Sequence, residues 1–349
     1  MSGARPDSLT RFKQIVAMVA RAECLPFETA REAFDLMMAG EVTPAQIAGL
    51  LMAMRVRGES VDEMTAGAMA MRERMIRLKA PADAIDVVGT GGDSAGTFNI
   101  STASAFVIAG AGVTVAKHGN RNLSSRSGSA DVLMALGVDI DCPFPQIERS
   151  IAEAGLGFMM APRHHGAMRH VAGPRSELGT RTIFNLLGPL TNPAGVRRQL
   201  VGVFAPEWVE PVAQALVKLG SERVWVVHGR DGLDELTTTG PSLVAAWDGE
   251  RLETFEVTPE DAGLTRARPD DLKGGDPAFN AQAIQAMLAG RPGPLRDAAI
   301  MGAAGALIVA GRAATLREGA DLAAQSIDSG RARHALHHLV DISQARPET

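Results

Sequence analysis

Residues 86–102 read DVVGTGGDSAGTFNIST. The apolar run at 85–88 has strand composition and a helical pattern begins near Ser101, so the segment reads as strand, glycine-rich loop and helix. That order aims several backbone N–H groups and the positive end of a helix at one spot. Four glycines in the stretch let the backbone approach a bulky anion without Cβ clashes. The competing reading is a tight turn capped by Asn99, Ser101 and Thr102. Nucleotide fingerprints fail here: there is no GxxxxGK[ST], and Ser94 stands where a Rossmann turn needs its third glycine.

Outward from this unit, short apolar runs at 113–116, 157–160, 200–204 and 224–227 alternate with helical patterns at 101–111, 130–136 and 209–219. The alternation predicts an α/β unit with a mainly parallel central sheet. Further strands are expected at 243–247 and 252–257, a buried helix at 298–311 and one closing helix over about 316–339. Before residue 82 the chain reads as helices. Thr43-Pro44-Ala45-Gln46 and Ser60-Val61-Asp62-Glu63 are capping boxes, and Met64, Ala68, Met71 and Met75 form one core-facing stripe. The division is therefore a small helical domain, 1–81, and an α/β domain, 82–349.

A length of 349 residues suits about two domains, and 46% apolar with 21% charged residues is the composition of a soluble globular chain. A net charge of -5 with no basic block argues against nucleic acid and anionic membranes as partners. Cys24 and Cys142 belong to no ligand pattern and suit a reducing cytoplasm.

Three more segments carry chemistry. Residues 115–133, VAKHGNRNLSSRSGSADVL, gather donors after a second strand. Two such loops would face each other across the carboxyl edge of a parallel sheet and suit a ligand with more than one phosphate. In 228–241, HGRDGLDELTTTGP, the adjacent Asp234 and Glu235 read either as a solvated surface pair or as ligands of a hard cation. Beside two phosphate-like loops the second reading, magnesium, gains. In 162–193, His164, His165 and His170 tempt a zinc reading, which the hard-oxygen partners oppose. Arg175 reads as a helix-surface charge or as a fork for a carboxylate.

GTGGDSAGTFNIST, AKHGNRNLSSRSGSADVLMALG, RTIFNLLGPLTNPA and DGLDELTTTGP, with GEVTPAQIAGLLMAMRVRGES near the start, resemble the anthranilate phosphoribosyltransferases over roughly residues 10–340. The resemblance implies a nucleoside-phosphorylase-like fold in which helices near 175–194 join the small domain in space. It also implies a cytoplasmic homodimer that displaces diphosphate from phosphoribosyl diphosphate (PRPP) with the amine of anthranilate. Carried onto this chain, the PRPP contacts would be Gly89, Gly92, Asp93, Thr97, Asn99, Ile100, Ser101, Thr102, Lys117, His118, Gly119, Asn120, Arg121, Asn122, Leu123, Ser124, Ser125 and Ser129. Gly89, Asn120, His165 and Arg175 would meet anthranilate. Ser101, Asp234 and Glu235 would hold magnesium, as a pair of ions per subunit. Lys117 would stabilise the leaving group and His118 is the candidate base.

Two positions depart from the family pattern: Ser94 replaces the glycine after GTGGD, and Gly166 follows the paired histidines where a side chain is expected. A pyrimidine nucleoside phosphorylase shares the architecture but would have little use for Asp234 and Glu235.

Overall fold

The computed structural model describes residues 6–91, 96–121 and 127–345. Four helices open the chain: α1 (Pro6–Ala20), α2 (Phe27–Ala39), α3 (Pro44–Arg57) and α4 (Val61–Arg74). Both expected capping boxes form. Thr43 Oγ1 accepts from the Gln46 amide while Gln46 Oε1 accepts from the Thr43 amide, and Ser60 and Glu63 repeat the exchange. Glu63 is fully buried, accepts from the Leu25 amide at 2.9 Å and pairs with Arg57, so one carboxylate ties α4 to α3 and to the segment before α2. Met64, Ala68, Met71 and Met75 are all buried, as the stripe predicts.

Seven strands follow: β1 (Ile85–Gly89), β2 (Val115–Gly119), β3 (Leu156–Met160), β4 (Arg198–Gly202), β5 (Arg223–Gly229), β6 (Ser242–Trp247) and β7 (Leu252–Val257). The spatial order is β3-β2-β1-β4-β5-β6-β7. Pairing is parallel from β3 through β5, and β6 is antiparallel to both its neighbours. The chain builds outward from β1 through β2 to β3, then resumes at β4 on β1's other side. The switch point therefore lies between β1 and β4, with Gly89 and Gly202 paired at its carboxyl end.

Strand residues alternate between two cores. Val87, Leu200, Trp225 and Val227 pack on one face with helix α5 (Ile100–Gly110), whereas Val88, Val201, Val224 and Val226 join the core of the helical bundle. That second core also holds Val171, Ile183, Phe184 and Leu187, which attach the segment 169–190 to α2–α4. α5 is buried almost all round. Ser104 Oγ donates to Ala299 O and Ser326 Oγ to Val107 O, and a Cβ on Gly110 would meet the Ala332 amide nitrogen at 2.4 Å.

The apolar run near 298–311 is a buried helix, Pro294–Val309, and no helix among the described residues is long and apolar enough to cross a membrane. The expected single closing helix is two, Leu316–Asp328 and Arg331–Gln344. Gly330 breaks the run because it takes a positive φ of 76°, which a continuous helix does not allow.

Gly202 is where the sheet meets the site. A Cβ there would lie 1.6 Å from the Asp234 carbonyl oxygen, so the backbone after β5 crosses the end of β4 only because β4 ends in glycine. Gly202→Ala is expected to lower stability by about 1–3 kcal/mol, read as a reduced urea midpoint with an unchanged slope.

Candidate active site

The ladder between β1 and β2 is a single pair, Ile85–Val115, against five pairs between β1 and β4. Beyond it, side chains take the place of ladder bonds. Asp86 Oδ1 accepts from the His118 amide at 3.1 Å, and Asn192 Nδ2 donates to both Asp86 Oδ2 (2.7 Å) and Ala116 O (2.9 Å). Lys117 Nζ donates to Val87 O at 2.5 Å. Burial raises the Asp86 carboxyl to about 6, against the opposing pull of Lys117 and its hydrogen bonds. Burial lowers the Lys117 ammonium, and Asp86, Glu235 and Asp234 act in the other direction. Lys117 therefore stands buried between a carboxylate beneath it and the Asp234–Glu235 pair.

Those two carboxylates converge on the glycine segment. Asp234 Oδ2 accepts from Gly91 N at 2.7 Å and would lie 2.4 Å from a Cβ on Gly89, which explains the glycine. Glu235 Oε1 accepts from Ser101 N at 3.1 Å in the first turn of α5. Glu235 thus takes the place of the cap in the competing reading: Asn99 occupies the N-cap position but makes no cap bond with its side chain. Helix polarity favours negative charge at this end. As for magnesium, the donor set of Asp234, Glu235 and the Ser101 hydroxyl is entirely hard oxygen, which fits that ion. Among the described residues no cluster of three His, Cys, Asp or Glu side chains could enclose a metal. A cation here would thus draw further oxygens from its ligand.

Asn99 turns instead toward the second loop. Its Nδ2 donates to Ser127 O at 3.0 Å, and its Oδ1 accepts from Ser127 Oγ at 3.2 Å. Ser129 Oγ packs against Gly119 and donates to Asn120 O. Ile100 is a core residue, so it can offer a ligand only its backbone, whereas Thr102 Oγ1 is buried with no protein partner. Thr97 forms an antiparallel bridge to Lys273. Asn120 and Arg121 are exposed at the end of β2, and Arg121 lies 3.8 Å from Asp141. Gly92, Asp93, Ser94, Asn122, Leu123, Ser124 and Ser125 lie outside the described residues.

The third side is organised by the segment 184–192. The Arg175 guanidinium lies 5.2 Å over the Phe184 ring. Burial lowers its proton affinity, and among the described residues no carboxylate pairs with it. A desolvated, unpaired fork is costly unless an anion meets it. His118 is hydrogen-bonded to the Gly188 backbone and stands edge-on to His165, ring centres 5.2 Å apart. Burial takes His118 well below the usual histidine range and His165 down to about 4, so both rings are neutral near pH 7. His118 Nε2 is buried without a protein partner, and the His165 ring lies against the Thr191 backbone. Gly166 faces open space, which would admit the side chain expected there. His170 is separate from this group and lies against Gly40 at the end of α2.

Asp86, Asn192 and Asn280 are absent from the sequence-based set. A charge inside the otherwise apolar run 85–88 was the one available signal for Asp86. No local signal marks the asparagines, because their partners lie 106 and 181 residues away.

Comparison with known proteins shows the family. A model of the glycosyl transferase family a/b domain matches residues 81–333, and that of the family's helical bundle domain matches 13–75. Anthranilate phosphoribosyltransferase of Paramagnetospirillum magneticum is 57% identical over 338 residues, covering 97% of this chain and 98% of its own length. The crystal structure of the Thermus thermophilus enzyme superposes with a TM-score of 0.90 at 46% identity, covering 95% of this chain and 99% of that one. The Saccharomyces cerevisiae enzyme in complex with PRPP and Mg superposes at 0.87 with 27% identity, covering 96% and 98%. By sequence along nearly its whole length and by architecture, the chain belongs to the anthranilate phosphoribosyltransferase family.

Proposed function

We infer that this chain transfers the 5-phosphoribosyl group of PRPP to the amine of anthranilate, giving N-(5-phosphoribosyl)anthranilate and diphosphate, a reaction of tryptophan biosynthesis. The observation that carries this reading is the meeting of Asp234 and Glu235 with Gly91 and the first turn of α5, beside buried Lys117. The S. cerevisiae relative with PRPP and Mg supports it. The PRPP and anthranilate contacts named from the sequence and the homodimer are parts of the same proposal.

Breaking the ribose C1–O bond leaves positive charge on the sugar and negative charge on diphosphate, so the main task is to stabilise the leaving group. Lys117 would supply positive charge to that leaving group, and the positive end of α5 would add to it. Asp234, Glu235 and the Ser101 hydroxyl would hold magnesium, a pair of ions per subunit. When bound, magnesium supplies charge stabilisation to the departing diphosphate. The aryl amine is nucleophilic in its neutral form, and Arg175 would grip the carboxylate beside it to aim the amine at the ribose carbon. His118, neutral and with Nε2 unpartnered, is the candidate to take the proton the amine releases.

The direct test is loss of anthranilate fluorescence on adding PRPP and magnesium to the purified chain; no loss would overturn the reading. Asp234→Asn and Glu235→Gln keep shape and remove charge, so each is expected to raise the KM for PRPP at least about tenfold at limiting magnesium, with the fold intact. Arg175→Ala is expected to cost about 1.5–3 kcal/mol, roughly ten- to a hundredfold in kcat/KM for anthranilate, with Arg175→Lys recovering part. A raised KM for PRPP alone would instead place Arg175 on the phosphate side.

Neutral histidines also set a pH dependence. A histidine depressed from 6.5 to about 4 contributes stability that is present above pH 6.5 and lost as pH falls toward 4. His118 and His164 share that sign. Asp86, raised from 3.8 to about 6, has the opposite one, its contribution being lost as pH rises through 6. His165→Phe, which keeps a ring but cannot titrate, is expected to lessen the stability lost between pH 7 and 5 by about 1–2 kcal/mol in urea titrations.

A further inference from the structure

The geometry points to Asn280 as a positioning residue for PRPP, one that couples the two phosphate-facing loops through the amide of Asn99; the inference rests on the function proposed above. Asn280 lies in the helix Pro277–Leu288, is 1% exposed, and reaches Asn99 across 181 residues of sequence. Its Oδ1 accepts from Gly275 N at 2.8 Å, and its Nδ2 donates to Asn99 Oδ1 at 3.0 Å. Asn99 Nδ2 in turn donates to Ser127 O at 3.0 Å.

This chain of bonds has one direction. A backbone N–H can only donate, so the atom of Asn280 that faces Gly275 is the carbonyl oxygen, and the amino group must face Asn99. Asn99 then presents its oxygen to Asn280 and keeps its amino group for the Ser127 carbonyl, which can only accept. Asn280 and Ser127 together therefore set which way the Asn99 amide points, and Asn99 links the end of the first loop to the end of the second.

The segment before Asn280 holds the same limb of backbone. Phe98 N donates to Leu272 O at 3.0 Å, Gly274 N donates to Gly96 O at 2.9 Å, and Thr97 bridges Lys273. Gly274 allows this approach, since a Cβ there would lie 2.6 Å from Thr97 O. Phe279 stacks on Phe98 with ring centres 6.1 Å apart. Residues 272–280 thus form a strap that fixes the downstream limb of the glycine loop, and Asn280 is the part of it that bonds Asn99, which in turn bonds the second loop.

The test uses the whole chain with PRPP, magnesium and anthranilate. Asn280→Ala is expected to raise the KM for PRPP at least about tenfold while leaving that for anthranilate within about twofold. Asn280→Asp keeps the bond from Gly275 but sets a carboxylate oxygen against Asn99 Oδ1, so it is expected to lose PRPP as badly with the scaffold better kept. If Asn280 acts through Asn99, adding Asn280→Ala to Asn99→Ala changes the PRPP constant by less than about twofold. Multiplying effects in that cycle, a wild-type PRPP constant in Asn280→Asp, or loss of fold in both Asn280 variants would each overturn the inference. A wild-type chain inactive toward PRPP and anthranilate would overturn the function itself, an outcome distinct from those three.

Discussion

The molecule is organised around a polar in-fill between two strands that part. After Ile85–Val115 the β1–β2 ladder stops, yet the backbone groups it frees lie deep in the protein, where an unbonded N–H or C=O costs several times what a surface bond returns. Asp86 and Asn192 satisfy the His118 N–H and the Ala116 carbonyl, and Lys117 satisfies the Val87 carbonyl. The parting places an ammonium between strands at the sheet's carboxyl edge, where an ordinary ladder would leave no room. It also anchors the segment 182–192, which carries Phe184 beneath Arg175 and the backbone that His118 bonds.

Charge is distributed unevenly around that centre. On one side, Lys117 faces Asp86, Asp234 and Glu235, so a cation and three carboxylates act on one another. A diphosphate alone would meet repulsion from the two outer carboxylates, which a divalent cation held by such a hard-oxygen set would offset. On the other side the same burial leaves His118 and His165 neutral, and among the described residues Arg175 has no carboxylate partner. A flat aromatic with one carboxylate suits that combination: neutral rings along its path and a single fork at its anionic group.

Local signals in the chain were read well. The capping boxes at Thr43 and Ser60 formed as expected because a cap depends on four consecutive residues. The strand-loop-helix at 85–110 and the alternation after it followed from periodicity, and strand ends moved by only a few residues. The helix expected over about 316–339 is interrupted because Gly330 sits inside an otherwise helical pattern and takes a positive φ there. The competing reading of Asn99 as a helix cap does not hold: bonds to Ser127 and Asn280 claim its side chain, and Glu235 caps the helix.

The amino-acid sequence by itself determined the elements, their α/β order, the family and the kinds of group the site holds, because propensity, capping and motif chemistry are written within a few neighbouring residues. Tertiary structure alone decided that β1 and β2 part, that Asp86 and Asn192 fill the gap, that Asp234 and Glu235 reach Gly91 and Ser101, and that Asn280 orients Asn99. Each of these is a hydrogen bond between groups 30 or more residues apart. Its existence depends on where a buried, unsatisfied polar group ends up after the chain has packed, and no local pattern encodes that.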